Sequence, residues 1–175
     1  IITSIMLSNE LREQGTLIDF YLLDTMESEY IFDYLDNYLP FPPMGYDVSI
    51  YSITYETIDA HGDYTVASGA IAIPDLDGAS APLISFQHGT ILERDEVASI
   101  YGFDLVSLWL GTSGYITVIP DYLGLGISEV FHPYMISDPS ATAVIDMLRA
   151  TKQFCELYNF PLNNQLFLVG YSEGG

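Results

Sequence analysis

The sequence predicts an α/β fold whose sheet begins with an antiparallel pair, and three observations predict it. Tyr46–Asp59 and Tyr64–Ile73 are strand-like runs joined by the turn Ala60-His61-Gly62-Asp63. Leu83–Phe86, Tyr115–Ile119 and Leu166–Val169 are short apolar runs, as in parallel strands buried on both faces. Between them, Asp95–Leu110 and Ala141–Tyr158 carry apolar residues at helical spacing. The order is hairpin, strand, helix, strand, helix, strand.

Each element has its own signal. Gly15–Leu23 is apolar-rich and reads as a short strand, and Thr25 or Ser28 can cap a helix that follows. In that helix Tyr30, Ile31, Tyr34, Leu35 and Tyr38 fall on one face. Pro40, Pro42, Pro43 and Gly45 then break the chain. Residues 1–45 are therefore read as an N-terminal appendage and 46–175 as the main unit. In the first hairpin strand Val48, Ile50 and Ser52 share one face, and Tyr51, Ile53 and Tyr55 the other. His61 is a solvated turn residue. The first long helix has Val97, Ile100, Tyr101, Leu105 and Leu108 in its periodic pattern. Pro139 suits the start of the second, whose stripe is Val144, Met147, Leu148, Thr151, Cys155 and Tyr158. That stripe makes Cys155 a packing thiol rather than a nucleophile. Asn163-Asn164 turns the chain into the last strand.

Composition narrows the function. The chain holds 24 acidic against 4 basic residues, a net charge of −20, which repels nucleic acid and anionic membrane surfaces. The acidity serves solubility or, alternatively, steers a cationic substrate. The lone cysteine excludes an intrachain disulfide, and His61, His88 and His132 have no metal-ligand spacing, so no metal is expected. The uncharged stretch Leu105–Pro120 is shorter than the ~20 residues of a membrane span. Ile1–Leu7 lacks the basic start and length of a signal peptide.

The motif that carries chemistry is Gly170-Tyr171-Ser172-Glu173-Gly174-Gly175, directly after an apolar run. Gly-x-Ser-x-Gly alone arises by chance in roughly one chain in twenty, given ordinary residue usage. Its position after the last strand of a β-α-β-α-β series adds to it. In such a turn the serine takes a strained backbone conformation, and bulkier residues at 170 or 174 would collide with neighbouring backbone. Ser172 is the candidate nucleophile; the alternative is a glycine-rich turn with an incidental serine. Gln87-His88-Gly89-Thr90 ends the third strand. The backbone N–H groups of Thr90 and Glu173 are the candidate oxyanion donors, each worth about 3 kcal/mol of barrier. His88 and Gly89 support that loop. Asp121, in Pro120-Asp121-Tyr122-Leu123-Gly124-Leu125-Gly126, holds its loop through backbone hydrogen bonds. That glycine spacing is no phosphate fingerprint. His132 is solvated or fixes its own loop, or alternatively edges the site.

Together these motifs, with Tyr46-Asp47-Val48 and His132-Pro133-Tyr134, resemble the secretory-lipase-like serine esterases of the α/β-hydrolase superfamily over residues 46–175. The resemblance implies a mostly parallel sheet of order 1-2-4-3-5-6-7-8, of which about the first five strands are present. It implies an acyl-enzyme mechanism on carboxylic esters, small or lipid, without a cofactor, in an extracellular or cell-envelope setting. It also implies a triad in the chain order serine, acid, histidine. All three histidines precede Ser172, so the acid and the histidine are expected beyond residue 175 and the sequence reads as the N-terminal portion of a longer enzyme. The segment alone is then expected to be inactive, with its last strand uncovered. The Gly-x-Ser-x-Gly-Gly run is also similar to prolyl-oligopeptidase-like peptidases, and a non-catalytic binding protein of the same fold is the third reading. Oligomeric state stays open.

Overall fold

The computed structural model describes residues 13–35, 45–102 and 104–175. The expectations for Ile1–Leu7, Tyr38, Pro40, Pro42 and Pro43 lie outside those residues. Six strands form one sheet: β1 (Leu17–Met26), β2 (Val48–Ile58), β3 (Tyr64–Pro74), β4 (Ala81–Gln87), β5 (Ile116–Pro120) and β6 (Leu162–Gly170). Their order across the sheet is β1-β2-β3-β5-β4-β6. Leaving out β1, this is the expected 1-2-4-3-5. The pairs β1/β2, β2/β3 and β3/β5 are antiparallel, whereas β5/β4 and β4/β6 are parallel. It follows that β2, β5, β4 and β6 run one way and β1 and β3 the other.

The β2–β3 hairpin keeps an unbroken register from Val48↔Pro74 to Ile58↔Tyr64. Its turn is built by Asp59, whose carboxylate accepts from the N–H groups of His61 (2.8 Å) and Asp63 (3.0 Å). These bonds, that of Asp63 foremost, hold the Asp59 carboxyl below the usual range. His61 is exposed there, as its turn composition predicts. Along β2 the two faces separate as the alternation predicts. Val48 and Ile50 join a core with Met26, Ala70, Ala72 and Leu108. Ile53 and Tyr55 join the opposite core with Met147, Phe154 and Cys155.

Among the described residues there are also five helical segments: α1 (Ser28–Leu35), α2 (Ala98–Tyr101), α3 (Leu105–Thr112), α4 (Ser137–Tyr158) and a 3-10 turn, Ser172–Gly174. Ser28 opens α1, and its N–H donates to Asp47 Oδ1 at 2.8 Å. Ile31 and Leu35 of α1 pack into the Val48–Leu108 core, while Tyr30 stays exposed. β1 extends to Met26, further than its apolar run suggests. Its Phe20 meets Phe154 and Tyr158 edge-on, at 5.3 and 5.0 Å.

The helix expected over 95–110 is two helices. Gly102 takes the left-handed conformation (φ 86°) and ends α2. Asp104 then caps α3, accepting from the N–H groups of Val106 (2.6 Å) and Ser107 (3.0 Å), with Ser107 Oγ accepting in return from Asp104 N–H. The apolar period of the sequence runs across this break, whereas the chain does not continue as one helix, and Ile100 and Tyr101 are exposed. In α4 the buried face is Ala143, Asp146, Met147, Ala150, Thr151, Phe154 and Cys155, rotated from the predicted stripe. Burial pushes the Cys155 thiol up to about 12, consistent with packing rather than reactivity. Asp146 is fully buried; it accepts from Thr57 Oγ1 and from Arg149 Nη1, both at 2.8 Å.

β6 stands at the edge of the described sheet, and the burial on both faces expected for its apolar run is not found. It pairs with β4 along one edge, and Leu166, Phe167, Leu168 and Val169 are all exposed, on both of its faces.

Candidate active site

β6 leads directly into the tight turn at Ser172. Ser172 has φ 56°, a left-handed conformation that strains a residue with a side chain by about 1–3 kcal/mol. The flanking glycines are dictated by contact. A Cβ on Gly170 would overlap the Gly174 carbonyl, and one on Gly174 would overlap the Gln87 carbonyl. The turn is pinned to the end of β4 by Tyr171 N–H, which donates to Gln87 O at 3.1 Å, and closed by Gly174 N–H on Tyr171 O at 3.0 Å.

The loop after β4 lies against this turn. A Cβ on Gly89 would come to 3.3 Å from Ser172 Cβ and 3.0 Å from Tyr171 Cδ1, tighter than ordinary van der Waals contact, so glycine eases the close approach of this loop to the serine turn. Both ring nitrogens of His88 are directed at backbone carbonyls. Its Nδ1–H donates to Gly89 O at 2.7 Å, and its Nε2 lies 3.3 Å from Asp121 O. Thr90 is exposed, with Oγ1 3.0 Å from the Tyr134 hydroxyl. Asp121 is fully buried and anchors the loop after β5. It accepts from Ser68 Oγ (2.5 Å) and Ser99 N–H (3.3 Å), and makes a short bond with Ser99 Oγ. Burial raises its carboxyl above the usual range, outweighing these bonds. Gly126 must be glycine here, because a Cβ would overlap Ser68 Oγ and the Asp121 carboxylate.

Several residues of the site carry no sequence signal. Tyr122 has φ 71° and is 2% exposed. Its ring packs on His88 at 4.4 Å, and its hydroxyl donates to His88 O at 3.3 Å. Burial, and then the charge of Glu173, push its hydroxyl well above the usual tyrosine range. Ser68 and Ser99 matter only because the fold delivers them to Asp121. The Glu173 side chain, predicted for its backbone N–H alone, is turned inward and 3% exposed, with Oε1 3.4 Å from His132 Nε2.

Neither His88 nor His132 has a ring nitrogen directed at Ser172, and His61 sits in the β2–β3 turn. Two surface clefts, of about 380 and 400 Å³, lie at the opposite end of the sheet. The first is lined by Ala81 and Ile116, where β4 and β5 begin. They are therefore remote from the turn at the carboxyl end of β6. Among the described residues, no three His, Cys, Asp or Glu side chains gather as a metal site. No described helix is long and apolar enough to cross a membrane.

Comparison with known proteins adds two findings. The pattern of the secretory lipase family matches residues 97–175, a segment running from α2 through the Ser172 turn. In solved structures, a hydrolase-like protein from Legionella pneumophila is 34% identical, with a TM-score of 0.83 over 93% of this chain and 45% of its own. The chain is secretory-lipase-like, on an α/β-hydrolase fold. The rice cell wall degrading esterase LipA from Xanthomonas oryzae is similar at 32% identity, with a TM-score of 0.82 over 93% of this chain and 43% of its own. Candida antarctica lipase A, at 17% identity and a TM-score of 0.59, shares the fold. No functionally curated protein matches the sequence. The chain spans less than half the length of the esterase and hydrolase structures it resembles. The secretory-lipase match takes in Asp121, His132, Ser172 and Glu173 but not His88–Thr90. The latter loop joins the site through the Gly89–Ser172 approach.

Proposed function

We propose that the full-length protein hydrolyses carboxylic esters, small or lipid, with Ser172 as the acyl nucleophile. The observation that carries this reading is the backbone of Ser172, held at positive φ at the carboxyl end of β6 with the Gly89 loop against it. Open α/β sheets hold their ligands at that end. Ser172 Oγ would attack the ester carbonyl, and the N–H groups of Glu173 and Thr90 would receive the oxyanion. Collapse of the tetrahedral intermediate expels the alcohol and leaves an acyl-serine, which water then cleaves to the acid. The three histidines do not serve as the base in this reading, because each has another place in the fold. The base and its acid partner come from outside residues 1–175. The similarity to secretory lipases and to LipA supports an ester over an amide substrate, and an extracellular or cell-envelope setting.

The test is covalent labelling of the full-length protein by a fluorophosphonate, with turnover of aryl esters and of prolyl amides measured in parallel. Labelling and ester turnover that vanish in Ser172→Ala are expected. Absence of labelling, or equal labelling of Ser172→Ala, removes the proposal; preference for the amide moves it to a peptidase.

A further inference from the structure

The Glu173 carboxylate is the least expected group near Ser172. It is 3% exposed, and neither oxygen has a hydrogen-bond partner. A bare carboxylate in that position carries a large desolvation cost. The group facing it is His132 Nε2, at 3.4 Å, on a side chain that is 20% exposed. His132 Nδ1 lies 2.7 Å from Leu123 O. A carbonyl has no proton to give, so Nδ1 carries one. In the singly protonated ring Nε2 is then a bare lone pair, set against a carboxylate. The contact becomes attractive only with one more proton between the two groups. The 3.4 Å separation is within ion-pair reach and longer than a formed hydrogen bond.

The rest of the loop holds His132 in place for this contact. Gly124 has φ 79°, and a Cβ there would come within 2.5 Å of His132 Cα. Leu123 and Gly124 therefore grip His132 by its ring and its backbone. The same loop is anchored at Asp121 to Ser68 and Ser99. The Tyr122 hydroxyl also feels the charge of Glu173.

We propose that His132 and Glu173 share one proton and act as a clamp, tying the Ser172–Glu173 peptide to the loop after β5. The proposal rests on the ester-hydrolase reading, in which that peptide N–H is an oxyanion donor. His132 is thus a positioning residue: it touches no reacting atom, but sets the direction of the donor next to the nucleophile. Displacing that donor weakens the transition state more than the bound ester, so the clamp acts on kcat rather than KM.

The test uses steady-state kinetics of the full-length protein on p-nitrophenyl butyrate. Glu173→Leu keeps the bulk and removes the carboxylate that faces Nε2. Glu173→Gln restores an N–H donor to Nε2 without an added proton. His132→Ala, at the more exposed end, removes the partner. Glu173→Leu and His132→Ala are each expected to lower kcat by roughly 10- to 100-fold, with KM changed less than about threefold. Glu173→Gln is expected to regain at least about tenfold over Glu173→Leu. Wild-type kcat in His132→Ala, or equal rates for the Gln and Leu variants, overturns the clamp. If Glu173→Leu does not fold, as judged by circular dichroism, His132→Ala decides alone. Ser172→Ala, run beside them, separates the two readings. Turnover that survives it removes the ester-hydrolase mechanism, whereas its loss with normal His132→Ala kinetics removes only the clamp.

Discussion

At the residue scale the site depends on a few backbone conformations. Ser172→Ala is expected to reduce ester turnover of the full-length protein by roughly 1,000-fold or more, measured as kcat, with little effect on thermal stability. Gly174→Ala acts differently. Its methyl would meet the Gln87 carbonyl and side chain, so the turn must shift away from β4. It is expected to cost about 1–3 kcal/mol in urea unfolding and to abolish fluorophosphonate labelling although Ser172 is intact. Asp121 yields a pH prediction. Its folded-state carboxyl is raised by burial, so the folded state holds a proton that the unfolded chain releases earlier. The stabilisation is complete below the ordinary aspartate range and is lost as pH rises through the raised value. Unfolding free energy relative to Asp121→Asn should therefore fall as pH rises from about 4. A difference that is flat across that window contradicts the assignment. Ser172 and its glycines are legible in sequence because their spacing is chemically marked. The partners of Asp121 are not: Ser68 is 53 positions away and Ser99 is 22.

At the scale of elements, periodicity located the strands and helices but missed what interrupts and orients them. Gly102 and Asp104 together stop α2 and start α3, and the second start depends on the cap. Asp104→Ala is expected to cost about 1 kcal/mol in urea unfolding. The apolar stripe of α4 gave way to a buried face that includes Asp146, because β2 presents Thr57 there. Thr57→Val is expected to cost about 1–3 kcal/mol in the same assay, since it leaves a buried carboxylate oxygen short of a donor. Hydropathy assigns an aspartate to the surface; only the facing strand shows that this one is satisfied inside. The N-terminal part joins the sheet in the same manner. Gln153 of α4 accepts from Leu17 N–H at 3.1 Å and donates to Gly15 O at 2.7 Å, fastening β1 to the helix.

At the scale of the whole molecule, the sheet is well covered on the β2–β3–β5 side and bare at β6. Leu166, Phe167, Leu168 and Val169 form an exposed apolar strand with an unpaired edge, the type of surface that pairs with other chains. The 175-residue chain purified alone should self-associate, and Leu168→Lys should reduce this by charging the strand. Static light scattering at increasing protein concentration measures both. A strictly monomeric 175-residue chain would contradict the exposure of β6. The net charge of −20 opposes association, so added salt should promote it by screening that repulsion.

The sequence by itself determined the fold class, the hairpin turn and the Gly-x-Ser-x-Gly turn after the last strand; the strand order after β1 followed from the family resemblance. The first three rest on local rules: alternation, helical period, and glycines where no side chain fits. Only the tertiary structure decided that Gly89 closes on Ser172, that Asp121 is caged by two serines, and that Glu173 turns inward to His132. Each of these contacts joins residues far apart in the chain, brought together by crossovers whose geometry no local pattern records.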